Sequence, residues 1–148
     1  MPKWTNWSGR HVARPKHLHH CRSEDDAMAV VAAANSSGRT IRVAGTGHSH
    51  AALVPNDDTV LDLSGLSGVI EVDGARKTAL VRAGTPVHAL GRPLHDAGLG
   101  LIKQGDIDRQ TIAGATATGT HGIGRGLKNL SASVIGATLI LASGKRLT

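Results

Sequence analysis

Apolar and polar positions change their spacing several times along the chain, and those changes outline its elements. Ser23 followed by Glu24, Asp25 and Asp26 predicts a helix start, a capping hydroxyl with acids in the first turn. Ala27, Met28, Val30, Val31, Ala33 and Ala34 continue that helix, and Gly38 after Asn35-Ser36-Ser37 predicts its stop. Thr40 to Ala44 predicts a short strand. Thr59 to Leu63, Val69 to Val72 and Thr78 to Ala83 predict three more, with Asp73-Gly74 as a tight turn. Pro86 fits the first turn of a helix running toward Asp96, Pro93 must kink or split it, and Gly98 ends it. Ser133 to Leu141 and Lys145 to Thr148, joined across Ser143-Gly144, predict a closing hairpin. Helices and strands alternate without regular βαβ spacing, and no internal repeat is visible, so the expected class is α+β.

Composition narrows the picture. A chain of 148 residues buries one modest core. With two Trp, no Phe and no Tyr, that core must be built from Val, Leu, Ile and Ala. The net charge of +6 attracts polyanions in general. Nucleic-acid binding is disfavoured, because stacking platforms need aromatics. The single cysteine, Cys21, excludes an internal disulfide. No apolar run approaches the ~20 residues that span a bilayer. No apolar leader follows Met1-Pro2-Lys3-Trp4, so the cytoplasm is the expected location.

Candidate chemistry concentrates in two glycine-histidine segments. The first, Ala44-Gly45-Thr46-Gly47-His48-Ser49-His50, follows the apolar run Ile41-Arg42-Val43. The second, Gly114-Ala115-Thr116-Ala117-Thr118-Gly119-Thr120-His121-Gly122, is preceded by Gln104-Gly105-Asp106-Ile107-Asp108-Arg109-Gln110. Glycine lets backbone N–H groups approach a ligand closely, and consecutive N–H groups form a nest for phosphate oxygens. The first segment is not a Rossmann fingerprint: His50 stands where the third glycine belongs, and Pro55 to Asp58 make a turn where a helix should run. No Gly-Lys-Ser/Thr triplet exists, which excludes a Walker A loop.

The order of segments is more specific than either alone. Trp4-Thr5-Asn6-Trp7, Arg42-Val43-Ala44-Gly45-Thr46-Gly47-His48-Ser49, Leu61-Asp62-Leu63, Val81-Arg82-Ala83-Gly84, Gly98-Leu99-Gly100-Leu101, Gln104 to Asp108 and Thr118-Gly119-Thr120-His121-Gly122 occur in succession. This array resembles the FAD-binding half of the vanillyl-alcohol-oxidase-type (PCMH-type) flavoproteins. Within them it is similar to the sugar-1,4-lactone oxidases, the L-gulono- and D-arabinono-lactone enzymes, and to the alditol oxidases. The resemblance covers Trp4 to about Leu147 and implies a domain of mixed sheets with flanking helices. It also implies that residues 1–148 form a partial FAD-binding domain, C-terminally incomplete, with the substrate-binding domain absent. An open sheet edge near Ser133 to Thr148 would then invite self-association.

The resemblance implies FAD as cofactor. It assigns Gly45, Thr46, Gly47 and Ser49 to the diphosphate loop and His48 to the flavin, as its point of covalent attachment. It assigns Gln104, Asp106, Gln110, Gly114, Ala115, Thr118, Gly119, Thr120, His121 and Gly122 to a second stretch along the dinucleotide. Both segments are expected to converge on one groove. His121 is read as supporting the flavin or fixing the loop, with the structural role preferred. His50 departs from the family, where an aromatic is usual. No cysteine lies in residues 104–122, so a second covalent bond through cysteine is not expected. Either Thr111 or Asp108 could cap the helix that follows.

His17, His19, His20 and Cys21 invite a metal reading, but the spacing is too tight for a closed zinc site. They are read as a solvated cluster, and no metal is expected. No acid–base carboxylate pair and no nucleophile elbow is present, and no catalytic residue is assigned. Two functions stay open. In one, the chain is the flavin portion of an oxidoreductase passing hydride from a sugar lactone or polyol to FAD N5, with electrons then going to oxygen or another acceptor. In the other, it is an inactive flavin-domain remnant that binds a nucleotide or a partner.

Overall fold

Thr59, Val60 and Leu61 are 0, 0 and 3% exposed, the mark of a strand covered on both faces. They belong to one of two compact units, Met1–Gly65 with Gly136–Thr148, and Leu66–Ile135. Both are seen in a computed structural model that describes residues 1–148.

The first unit opens with a small antiparallel ladder, β1 (Trp4–Thr5) with β2 (Val12–Ala13). Next come β3 (His17–His20), α1 (Glu24–Ser36), β4 (Ile41–Ala44) and β5 (Thr59–Asp62). β3 and β4 run parallel to β5 on either side of it, with His17 and Ile41 both in register with Thr59. α1 carries the expected signals. Ser23 Oγ accepts from Asp26 N at 3.0 Å, and Asp26 Oδ2 accepts from Ser23 N at 3.0 Å, a closed capping box. Gly38, at φ +62°, ends the helix, and Arg39 N reaches back to the Ala34 carbonyl. Ala27 and Ala34 are buried on its inner face. Asn56 organises the turn before β5, donating to the Thr40 and Thr59 carbonyls.

β3 corrects the reading of the histidine cluster. His17 to His20 form a strand, and His17 and His19 stack at 6.0 Å on one side of it. His20 Nδ1 donates to Asp62 Oδ2 at 2.8 Å, and Cys21 is 1% exposed. This segment is thus part of the sheet rather than a loose solvated cluster.

The second unit contains the antiparallel hairpin β6 (Val69–Asp73) and β7 (Thr78–Val81). Its connection is a four-residue loop instead of a two-residue turn at Asp73-Gly74. Asp73 Oδ1 accepts from Arg76 N at 2.9 Å, and Lys77 takes the left-handed conformation at φ +54°. The helix expected from Pro86 to Asp96 is split. Val87–Leu90 form a 3-10 turn, and α2 (Gly91–Asp96) follows. Pro93 thereby falls in the first turn of α2, where its missing N–H has no helical partner to lose. Gly98, at φ +70°, closes α2 as expected. α3 (Ile112–Ala117) is capped by Thr111, whose Oγ1 accepts from Gly114 N at 3.2 Å. Val87, Ala115 and Leu130 form this unit's small core, with Leu101 and Ile112 against it.

The closing hairpin is shorter than expected. Ser133 ends a 3-10 turn, Leu130–Ser133, started by Asn129. Only β8 (Leu139–Ile140) and β9 (Arg146–Leu147) pair, because no strand lies beside residues 134–138 to accept their backbone bonds. The turn residue Gly144 has φ +79° and packs on α1, where an added Cβ would meet Ala32 Cβ at 2.7 Å. No helix in the chain is long and apolar enough to cross a membrane.

Candidate functional site

The Gly45–His50 segment emerges from the C-terminal end of β4 and is held from one side by the β1–β2 hairpin. Trp7 N donates to the Gly47 carbonyl at 3.2 Å. Asn6 Nδ2 donates to the Ser49 carbonyl at 3.2 Å, and His11 Nε2 donates to the His50 carbonyl at 2.7 Å. A trans peptide sets each carbonyl antiparallel to the next N–H. Fixing those carbonyls toward the hairpin therefore turns the N–H groups of His48 and His50 away from it. No backbone N–H from Gly45 to His50 donates to an acceptor in the chain, and Ser49 Oγ accepts from Ala51 N at 3.2 Å. A row of free donors on a glycine turn is the arrangement that holds an anion.

Gly47 is required twice over. Its φ is +64°, and an added Cβ would sit 2.9 Å from Trp4 Cζ2 and 3.2 Å from Asn6 Cα. Asn6 is buried, and its Oδ1 accepts from His11 N at 2.9 Å, so the hairpin carrying these contacts is itself locked.

His48 lies flat on the Trp7 indole, with ring centroids 4.7 Å apart and planes 6° from parallel. His50 meets the same indole edge-on at 5.3 Å. The His48 ring makes no hydrogen bond in the chain, while the His11, His20, His88 and His121 rings all do. Its two nitrogens are thus available to a ligand. Trp7, Asn6 and His11 were not assigned roles from the sequence. The Trp4-Thr5-Asn6-Trp7 segment was the signal that could have found them.

The second candidate stretch lies in the other unit. Its first half lies in the helix expected after Thr111: Gly114 and Ala115 are in α3, and the Ala115 side chain is fully buried in the core. Gly119, at φ +67°, terminates that helix, with Thr120 N bonded to the Ala115 carbonyl at 3.0 Å. The following backbone runs against residues 104–105. A Cβ on Gly105 would be 2.9 Å from Thr120 Cγ2, and one on Gly122 would collide with the Gln104 carbonyl. Those glycines permit two chain segments to touch. His121 is exposed, and its Nδ1 donates to the Gly122 carbonyl at 3.2 Å. Thr118 Oγ1 is occupied by the Gly114 carbonyl at 2.8 Å. Gln104 and Asp106 are exposed.

Gln110 Oε1 is buried with no hydrogen-bond partner. A buried acceptor left unpaired costs free energy until a donor reaches it. FAD carries ring N–H and hydroxyl donors as well as phosphate acceptors. In the first unit a free N–H row on a glycine turn suits the phosphates of such a molecule, and in the second the orphaned Gln110 acceptor suits one of its donors.

These features suit a phosphate-bearing cofactor. A family model described as an FAD binding domain matches residues 15–148, and the chain belongs to that family. The chain is 39% identical over 147 residues to L-gulono-1,4-lactone dehydrogenase of Mycobacterium tuberculosis, covering 99% of itself and 34% of that protein. It is 36% identical over 144 residues to D-arabinono-1,4-lactone oxidase of Eremothecium gossypii, covering 95% of itself and 27% of the relative. Among solved structures, 6-hydroxy-D-nicotine oxidase of Arthrobacter nicotinovorans matches with a TM-score of 0.86 and 27% identity, over 97% of this chain and 32% of that one. The chain thus spans 34 and 27% of the length of these two curated relatives. The α+β, PCMH-type reading holds, and FAD is the cofactor of this domain.

Proposed function

We propose that this domain serves an FAD-dependent oxidoreductase that oxidises a CH–OH group of a sugar lactone or related polyol, with His48 as the covalent anchor of the flavin. The lactone-oxidising relatives support the substrate class. The observation that carries the anchor is the His48 ring itself, stacked on Trp7 with both nitrogens unengaged.

When bound, FAD supplies the hydride acceptor; the protein supplies binding and orientation. The N–H groups of His48 and His50, with Thr46 and Ser49 beside them, hold diphosphate oxygens. Gly47 lets the turn close against Trp4 and Asn6, which keeps its carbonyls on the hairpin side and those N–H groups free. Gln110 Oε1 would accept from a donor of the cofactor, and the 104–106 and 114–122 segments would contact a further part of it. His48 would hold the flavin through one imidazole nitrogen bonded to its 8α carbon, with one N–H and one C–H bond giving way to one N–C bond and two electrons and two protons passing to dioxygen as hydrogen peroxide.

The test is made on the full-length protein. L-Gulono- and D-arabinono-1,4-lactone, and a set of alditols, are added without oxygen, and bleaching of the flavin is followed. At least one should reduce it within the time of turnover. A flavin that no lactone or polyol bleaches would contradict the assignment.

The cytoplasm is the proposed location. Self-association through the β8–β9 edge is likewise proposed. Leu139 and Leu147 are each 53% exposed there, and light scattering would detect the dimer.

A further inference from the structure

We propose that Trp7 is a positioning residue for flavin attachment: its indole holds the His48 imidazole in the one orientation that presents a ring nitrogen to the flavin. This rests on His48 being the attachment site.

An unrestrained histidine has three χ1 wells and a broad χ2, so its ring samples many orientations. A bond-forming attack needs the in-plane lone pair aimed at carbon, and misalignment costs rate steeply. The Trp7–His48 stack, 4.7 Å between centroids and 6° between planes, removes most of that freedom. The lone pair lies in the ring plane, so covering a face leaves the nucleophilic edge clear.

The indole is itself fixed. Its backbone N–H is tied to the Gly47 carbonyl at 3.2 Å, inside the turn that begins at Asn6. Asn6 N donates to the His11 carbonyl at 3.0 Å, and Gly9 N donates to the Asn6 carbonyl at 3.0 Å. The His50 ring closes against the indole at 81°. His50 thus gains a purpose at a position where the family pattern has an aromatic: it braces Trp7. Trp7 is 52% exposed, far more than a core residue, so its removal leaves buried packing intact.

The experiment compares Trp7→Ala and Trp7→Phe with the wild type in the full-length protein supplied with FAD. Three quantities are read: total FAD bound, the rate at which flavin becomes acid-stable, and the shifts of the His48 ring protons in the flavin-free protein. Trp7→Ala should bind FAD as the wild type does but attach it at least about tenfold more slowly. Its His48 signals should lose the upfield displacement that a stacked indole imposes. Trp7→Phe, which keeps an aromatic face, should restore most of the rate. Attachment by Trp7→Ala at the wild-type rate would overturn the positioning role alone. So would a slow Trp7→Phe whose His48 signals stay displaced. If the wild type attaches no flavin, the His48 reading fails and this proposal falls with it. A Trp7→Ala protein that binds no FAD would show a binding or folding role and equally overturn the proposal.

Discussion

Trp4 Cζ2 lies only 2.9 Å from where the β-carbon of any residue replacing Gly47 would sit. The contact ties the hairpin to the glycine turn and makes the turn intolerant of a side chain. Gly47 also sits at φ +64°, where an L-residue pays ~1–2 kcal/mol. Gly47→Ala should therefore weaken FAD binding by at least about tenfold, measured by titration of the flavin-free protein. Wild-type affinity in this variant would show that the turn does not contact the cofactor.

Much of the first unit could be read from residue chemistry because its signals are local. Ser23, Asp26 and Gly38 mark both ends of α1, and four glycine and hydroxyl positions mark the loop after β4. β3 could not be read that way. His17-Leu18-His19-His20 has no β-branched residue and no apolar alternation. It is extended because it pairs with β5, whose nearest partner lies 42 residues along the chain. The Trp4–Asn6 clamp left no periodicity, since its ladder is two residues long, and only the Trp4-Thr5-Asn6-Trp7 segment marked it. In the second segment the cap at Thr111 announced the helix, while the burial of Ala115 against Val87 and Leu130 left no mark in the sequence. Tertiary contact decided each case.

The capping box predicts a stability effect. Ser23→Ala removes the acceptor for Asp26 N and should destabilise the fold by about 1 kcal/mol, read as a lower urea midpoint at unchanged slope. The bonds from Arg22 N, then from the Ser23 hydroxyl side of the cap, hold Asp26 below its ordinary carboxylate range. Its contribution is complete above the unfolded pKa and is lost as pH falls through the folded one.

His19 predicts a second pH effect near neutrality. Burial, then the positive charge of His17 and of Arg39, lowers its proton affinity in the fold. The unfolded chain binds that proton first, so stability rises with pH across this range. The His19 share is complete above about pH 6.5 and is lost as pH falls toward the folded value. His19→Gln should flatten the slope of urea midpoint against pH below neutrality. An unchanged slope would place the pH dependence elsewhere.

Cys21 should behave as an inert thiol. Burial, followed by the nearby Asp26 and Asp62 carboxylates, raises its pKa, so the nucleophilic thiolate is suppressed at neutral pH. Iodoacetamide should leave it unlabelled in the native protein and label it fully in denaturant. Rapid native labelling would contradict its placement.

The central claim is that this domain binds FAD and fastens it through His48. Intact-mass analysis of the denatured full-length protein tests both parts together, for wild type and His48→Ala. The wild type should carry the mass of one FAD less two hydrogens, and peptide mapping should place it on His48. His48→Ala should carry no such mass yet retain dissociable FAD before denaturation, because the diphosphate turn is intact. A wild type that binds FAD tightly but is flavin-free after denaturation, or an adduct surviving in His48→Ala, would contradict the account.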